Sequence, residues 1–233
     1  MPEQRFRIEE LGTDENVLID SGKTNKDGSF AIQSKATEES LYRIKFERGK
    51  YILLAVKNGD NAQIAGDWNQ LENYTVSGSA GSATLKGFLI NLRENIKDIQ
   101  TMQVILDSIS VKPKNDSLKK MAIDDLKNIN AKFVAYVKKF ADTTQSVASA
   151  LFAVNIINPA YETPYITEFY QKVTKRFPES KNAKVFSDKF LASVKNLPAA
   201  KPSDGTPAPD FSGITPEGSK VTLSSYKGKY VLL

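Results

Sequence analysis

Alternation of polar and apolar residues is the leading pattern in the first third of the chain. It occurs at residues 5–8 and 28–34, and apolar segments follow at residues 41–46 and 51–56. A period of two places successive side chains on opposite faces of a strand, and the continuous run at 51–56 fits a buried strand. Shorter candidates are residues 63–65 and 74–76. We therefore predict β structure over residues 1–78.

Turn signals separate these predicted strands, at residues 25–28 (Asn-Lys-Asp-Gly), 48–50 (Arg-Gly-Lys) and 58–60 (Asn-Gly-Asp). Asn-Gly between two apolar runs favours a type I′ hairpin, because both central positions of that turn have a positive φ. Several short strands at this spacing predict a small antiparallel β-sandwich.

Helical periodicity replaces the alternation over residues 79–197. Apolar residues recur at spacings of three and four from Leu85 to Ile109, with Ser82 as the expected N-cap, and again from Leu118 to Phe140. Nine of the 13 glycines lie in the first 87 residues and none lies between residues 88 and 204. Because glycine weakens helix interiors, its absence supports an α-helical region.

Three shorter helices are expected to complete this region. Residues 146–157 form an apolar stretch that we expect to end at Asn158-Pro159. Thr163 and Pro164 fit the N-cap and first position of a fourth helix, which Pro178 would end. Ser180 is the expected N-cap of a fifth.

A linker and a new β pattern follow the helices. Residues 198–209 hold four of the ten prolines, as in a semi-rigid spacer. Residues 210–233 return to short apolar runs and end within one, at residues 230–233. We expect this segment to be the incomplete start of a further domain that continues after Leu233. The predicted fold class is α+β.

The composition excludes several kinds of catalysis. The chain contains no His and no Cys, so it has no Ser-His-Asp or Cys-His nucleophile pair, no zinc site of the usual nitrogen and sulfur type, and no redox-active thiol. The sequence identifies no catalytic, cofactor-binding or metal-ligating residue. We predict that the 233-residue chain has no enzymatic activity of its own.

The charge distribution gives no reason to expect nucleic-acid binding. The formal net charge is +5. It combines a net −3 over residues 1–75 with a net +7 over residues 76–200, where the lysines fall on the polar sides of helical patterns. Nucleic-acid binding favours basic residues clustered with aromatic residues or on one face. No run is long enough for a membrane span.

Local motifs that suggest chemistry have simpler interpretations. Asn25-x-Asp27-Gly28 matches part of a calcium loop but reads as a turn, and residues 78–82 lack the lysine of a phosphate-binding loop. Adjacent carboxylates point to different faces and make poor acid-base pairs; these are Glu9-Glu10, Glu38-Glu39 and Asp124-Asp125. Trp68 and Tyr74 are expected to be packing residues rather than a ligand-binding face.

The tail carries a resemblance to a known family. Its ordered matches are residues 205–211 (Gly-Thr-Pro-Ala-Pro-Asp-Phe), Gly218, residues 221–224 (Val-Thr-Leu-Ser) and residues 226–233 (Tyr-Lys-Gly-Lys-Tyr-Val-Leu-Leu). This pattern closely resembles the start of the thioredoxin-like domain of TlpA/ResA-type thiol-disulfide oxidoreductases and of the AhpC/TSA (redoxin) families. In those families a Trp-Cys-x-x-Cys motif follows about ten residues later.

The preceding segments are similar to the N-terminal part of the same proteins. Residues 24–30, 56–60 and 76–79 look like the β-sandwich domain of unknown function that precedes such thioredoxin domains in Bacteroidetes envelope proteins, and the helical spacer closing on residues 176–180 is typical there. The resemblance implies a periplasmic or envelope protein, with a possible membrane tether outside this chain, that reduces disulfide-bearing envelope proteins through the following domain. A peroxiredoxin-like peroxidase and a non-catalytic adaptor or binding module are the alternatives.

Overall fold

The computed structural model describes residues 3–110, 116–195, 212–214 and 220–226. Two compact units are present, one ending at Ala192 and the other beginning at Ser193. The first unit combines an antiparallel β-sheet with five helices, and the predicted α+β class is confirmed. The predicted linker at residues 198–209 lies outside the described residues.

Four antiparallel strands form the main sheet, in the order β2-β1-β3-β4. Their bounds are Arg5–Leu11 for β1, Asn16–Lys23 for β2, Ser40–Phe46 for β3 and Tyr51–Val56 for β4. A separate antiparallel pair consists of β5, Gln63–Ala65, and β6, Thr75–Ser77. A 3₁₀ segment, Trp68–Asn73, connects β5 to β6.

Alternation along the strands divides the side chains of the main sheet between two faces. One face packs against Leu71 and Tyr74 next to the β5–β6 pair; its buried residues are Phe6, Ile8, Ile44, Phe46, Ile52 and Leu54. The other face is covered over its β4 end by helices, where Leu53 and Ala55 pack in one cluster with Leu85. The sheet therefore has a layer on each side.

Two expectations about the strands are wrong. Residues 28–34 form no strand, although Phe30 and Ile32 pack against the buried face of the sheet as their alternation suggests. The alternation correctly indicated burial but not a backbone partner. The turn at Asn58-Gly59 has the expected positive φ at Gly59, 88°, but it leads from β4 to a strand of the other sheet and closes no hairpin.

One strand is missing from the prediction, and the turn predicted at residues 48–50 is confirmed. β2 was not predicted, because its residues are largely exposed and follow no clean alternation. The hairpin at residues 48–50 does join β3 to β4, through a short 3₁₀ turn in which Gly49 has φ 79°.

Five helices occupy the region predicted to be helical. They are α1 Ala80–Ser110, α2 Asp116–Thr143, α3 Val147–Val154, α4 Pro159–Arg176 and α5 Lys181–Lys195. Phe88 near the start of α1 stacks on Phe140 near the end of α2, with ring centroids 4.2 Å apart, so the two long helices run antiparallel. The main helical core is built from α3 and α4 with the start of α1, the end of α2 and Ala183 of α5.

The helix starts differ from the prediction at two places. The Ser79 hydroxyl accepts a hydrogen bond from the Ser82 backbone N–H, so Ser79 caps α1 and Ser82 lies inside the helix, fully buried. α4 starts at Pro159 with Asn158 as its N-cap, one turn before Thr163, and bends at Glu162. Asn158-Pro159 was expected to end the preceding helix, but it begins α4. Proline is tolerated there because the N–H that it lacks would have no partner in the first turn of a helix.

The described part of the second unit is a small hairpin. β7, Ser212–Ile214, pairs antiparallel with β8, Lys220–Thr222, and a 3₁₀ turn, Leu223–Tyr226, follows directly. Most of the predicted segment 210–233 lies outside the described residues.

Candidate functional site

A groove of about 450 Å³ lies between β4, the 3₁₀ segment Trp68–Asn73 and the first half of α1. Its inner surface is apolar and includes Leu53, Leu89 and Leu92. The groove forms because β4 turns its odd-numbered side chains toward α1, while α1 turns a leucine face toward the sheet.

Two apolar side chains remain accessible at the mouth of the groove. Tyr51 on β4 is 56% exposed and Ile96 on α1 is 39% exposed. Exposed apolar groups beside a preformed concave surface are what a small-molecule or peptide site requires. The groove therefore offers apolar contact area rather than a reacting group.

Cationic side chains surround the groove. The Arg93 guanidinium donates to the Glu72 carbonyl oxygen at 3.0 Å and to the Asn73 side-chain oxygen at 3.3 Å. The Lys86 ammonium donates to the same Glu72 carbonyl oxygen, and the Lys50 ammonium donates to the Trp68 carbonyl oxygen. These contacts hold all three cations against neutral carbonyls of the 3₁₀ segment. Lys50 and Arg93 line the groove, so their positive charge is available to an anionic ligand, whereas Lys86 is buried behind the wall.

The aromatic residues singled out from the sequence belong to the packed structure. Tyr74 is buried, its hydroxyl donates to the Leu53 carbonyl oxygen at 2.7 Å, and the Lys86 ammonium lies 4.1 Å from its ring centroid. Trp68 packs edge-on against Phe46 with ring centroids 5.5 Å apart. Both serve as packing residues, as expected, and they support the wall of the groove.

Burial changes the pKa values of Tyr74 and Lys86, which lie behind this wall. It raises the pKa of Tyr74 to about 12, so the phenol is neutral near pH 7 and acts as a hydrogen-bond donor. Burial, and secondarily the charge of Arg93, lowers the pKa of the Lys86 ammonium, while Glu72 opposes that shift. Sequence reasoning missed Lys86 and Arg93; the available signal was their seven-residue spacing, which places both on one side of α1.

A second polar cluster lies between α2 and α4. The Lys138 ammonium donates to Glu162 at 2.7 Å, and the Tyr165 hydroxyl donates to Asp142 at 3.1 Å. Burial, followed by the negative charge of Asp142, raises the pKa of Tyr165. The cluster joins the two helices, so we interpret it as structural.

The two glycine-containing motifs at residues 25–28 and 78–82 serve as a turn and as the start of a helix. At residues 25–28 the chain makes a turn in which Gly28 has φ 88° and the Asp27 carboxylate accepts the Ser29 backbone N–H at 2.9 Å. Gly78 and Ser79 make the tight entrance to α1. Within the described ranges, no three His, Cys, Asp or Glu side chains come together as a metal-binding group.

The adjacent carboxylates Glu38 and Glu39 act separately, as their position in sequence suggested. Glu38 accepts hydrogen bonds from the Ser180 hydroxyl at 2.6 Å and the Asn182 backbone N–H at 3.1 Å, at the start of α5. Glu39 accepts from the Ser146 hydroxyl and from the Ala148 N–H at 3.1 Å, at the start of α3. Each therefore caps a different helix.

In the part of the chain that the structure describes, no helix combines the length and hydrophobicity needed to cross a lipid bilayer. Comparison with known protein families, with curated proteins and with solved structures finds no match for this chain.

Proposed function

We propose that this chain is the N-terminal part of an envelope thiol-disulfide oxidoreductase, in which residues 3–195 form a non-catalytic scaffold. The observation that carries the proposal is the ordered resemblance of residues 205–233 to the start of a TlpA/ResA-type domain. The β7–β8 hairpin supports it, because in the resembled families the Ala-Pro-Asp-Phe segment leads into a β-hairpin.

We also propose a specific fold for each part of the chain. The main sheet and the β5–β6 pair, with the buried cluster between them, support a β-sandwich of the kind that precedes these redox domains. The segment from residue 210 would be the first part of a thioredoxin-like fold. Residues 79–197 would be the spacer between the two.

The proposed chemistry depends on residues that these 233 positions do not contain. In the resembled family a cysteine at a helix N-terminus attacks a substrate disulfide as a thiolate, and a second cysteine resolves the mixed disulfide. Disulfide-bearing proteins of the periplasm or envelope would be the substrates. The scaffold would contribute binding and orientation, and the groove beside β4 is its most suitable surface.

Reading the coding sequence beyond Leu233 and expressing the extended protein tests this function. We expect a Cys-x-x-Cys motif within about a dozen codons, as the resemblance implies, and reduction of insulin disulfides by the extended protein. The 233-residue chain is the matched control and should give only background turnover, since it has no thiol. A stop codon directly after Leu233, or an extension without cysteine, overturns the proposal; a lone cysteine favours the peroxidase.

A non-catalytic binding module is the second candidate, and the groove is the observation that favours it. An apolar interior with Tyr51 at the mouth and Arg93 on the rim suits a ligand with an apolar body and an anionic group. A thermal-shift screen of long-chain carboxylates should give stabilisation that Ile96→Glu removes. The control Ile105→Glu, on the distal half of α1, should leave the shift unchanged; equal loss in both variants contradicts binding in the groove.

A further inference from the structure

Four basic residues share the face of the main sheet that the helices cover at its β4 end, and they lie outside the covered part. Phe6 and Ile8 of β1 point into the buried cluster, so Arg5 and Arg7 point to the opposite side. Lys45 of β3 and Lys23 of β2 lie on that same side, beside them in the strand register. All four side chains are exposed. We call the surface formed by Arg5, Arg7, Lys23 and Lys45 the basic face.

The register of the sheet places like charges directly opposite one another. Arg5 pairs with Lys23 across β1 and β2, and Arg7 pairs with Lys45 across β1 and β3. Like charges at directly opposite positions destabilise a sheet, whereas opposite charges stabilise it. The basic face therefore lowers the stability of the free protein, and a bound anion would remove that repulsion.

Nearby acidic residues leave most of this charge uncompensated. The Glu9 carboxylate is engaged by Arg43, which donates to it at 2.5 and 3.0 Å. Glu47 lies 3.8 Å from the Arg5 guanidinium in an exposed pair, which contributes little. Four basic groups against Glu47 leave a local charge of +3, although residues 1–75 as a whole carry −3.

The basic face is concave and has the spacing of an extended chain. It lines a depression of about 490 Å³, together with Ser21 and Gly22 of β2 and the acidic residues Glu9 and Glu47. Side chains two residues apart on a strand lie about 6.6–6.8 Å apart, so Arg5 and Arg7 match alternate side chains of another extended segment. We propose that the basic face binds an extended acidic segment of a partner protein, independently of any redox chemistry.

The surroundings of the basic face favour a protein segment over other polyanions. Proteins that bind single-stranded nucleic acids stack bases on aromatic side chains. Here the aromatic residues of the depression, Phe6 and Phe46, are buried in the cluster, and Tyr51, beside Lys45, lines the other groove and not the depression. An anionic membrane surface favours uninterrupted basic residues, whereas Glu47 lies inside the depression.

Fluorescence anisotropy with a labelled poly-glutamate peptide, titrated with the 233-residue chain, tests the proposal. Lys45→Glu should weaken binding about tenfold or more, because it removes one attraction and adds one repulsion. The same substitution should raise the Tm, because it replaces the Arg7–Lys45 repulsion with an attraction. Lys45→Gln provides the same binding test without a new charge. The control Lys132→Glu, on the exposed side of α2, makes an equal change in net charge and should leave binding nearly unchanged.

The outcomes separate the acidic segment from its alternatives. Equal weakening by Lys45→Glu and Lys132→Glu would mean nonspecific attraction and would overturn the site. Absence of poly-glutamate binding would overturn it as well. Tighter binding of single-stranded DNA or of phosphatidylglycerol vesicles than of poly-glutamate, if lost in Lys45→Gln, would locate an anion site but refute the protein partner.

Discussion

At the scale of single residues, Gly78 shows how strongly one position can fix a junction. It lies between β6 and α1 with φ 73°, a conformation that residues with a Cβ rarely adopt. A Cβ built there would lie 1.9 Å from the Asn61 carbonyl oxygen. The Asn61 backbone N–H also donates to the Gly78 carbonyl oxygen at 3.1 Å, so the two segments cannot separate without losing this hydrogen bond.

Gly78→Ala should lower the free energy of unfolding by about 2–4 kcal/mol, since the new methyl group meets backbone in a left-handed conformation. Gly87→Ala is the matched control. Gly87 lies in α1, where an added methyl group would have open space for 4 Å around it, and its substitution should stabilise by about 0.5–1 kcal/mol. Urea unfolding of both variants checks this, and a similar effect of the two substitutions would contradict the assigned role of Gly78.

The role of a single residue could be predicted where its hydrogen-bond partner lies nearby in the sequence. Ser180 was expected to cap α5, and its hydroxyl accepts the Ala183 backbone N–H at 3.1 Å. Ser82 was wrongly predicted to be the N-cap of α1, because Ser79 and Ser82 lie three residues apart and the local sequence does not show which of them caps the helix. The hydroxyl of Ser82 instead donates to the Ala55 carbonyl oxygen at 2.9 Å, a contact with β4 that no local pattern reveals.

At the scale of secondary-structure elements, the segment before β3 connects the sheet to two helices. Glu38 and Glu39 are neighbours in sequence, yet they accept backbone N–H groups of α5 and α3 respectively. An acidic group at a helix N-terminus satisfies unpaired N–H donors and interacts favourably with the helix dipole. These two carboxylates therefore determine where both helices begin relative to β3.

Removing each carboxylate should loosen a different helix. Glu39→Ala should increase amide hydrogen exchange in the first turn of α3, and Glu38→Ala should do so in α5, each with a loss of about 1–2 kcal/mol because charge-assisted caps are removed. Glu94→Ala, at an exposed position of α1, is the control and should change neither. If both variants loosened the same helix, the separate capping roles would be wrong.

The elements themselves were largely predictable, whereas their partners were not. The spacing of apolar residues located α1, α2, α3 and α5, because a long amphipathic period is a strong signal. It did not locate the two caps, since Ser146 lies 107 residues after Glu39. It also assigned a strand to residues 28–34, because alternation reports which side chains are buried and not which backbone groups are paired.

At the scale of the whole molecule, the two largest hydrophobic clusters each contain a buried tyrosine whose pKa is raised. Tyr74 lies in the cluster beneath the sheet and Tyr170 in the cluster of the helices. Burial raises the pKa of each phenol from 10 to about 12. The folded protein therefore holds both protons more tightly than the unfolded chain does.

This difference predicts a loss of stability at high pH. The contribution of each raised pKa is complete below pH 10 and disappears as the pH rises to about 12, on the order of 1–2 kcal/mol for each group. Free energies of unfolding measured across this window should fall less steeply in Tyr74→Phe than in the natural chain. Tyr161→Phe, which changes an 83% exposed residue, should keep the original slope; equal slopes in all three proteins would refute the prediction.

The candidate groove illustrates what the sequence leaves undetermined at this scale. The α+β class and the order of its parts were predictable from periodicity and glycine distribution. The groove was not, because Tyr51 of β4, Glu72 of the 3₁₀ segment and Arg93 of α1 come from separate elements and become neighbours only through the packing of these elements. With no His or Cys to mark it, such a surface has no signature in a single sequence.

The α1–α2 hairpin has an evolutionary consequence. α1 has 31 residues, or about 46 Å at 1.5 Å per residue, but its last buried residue is Leu92. In the distal part of α2, before Val137, Ala122 is the one buried residue, and it lies outside the main helical core. Whole turns added to or deleted from both arms there would change the span of the hairpin without creating a cavity in that core. We therefore expect homologous chains to differ in length at the distal end of this hairpin more often than in the sheet.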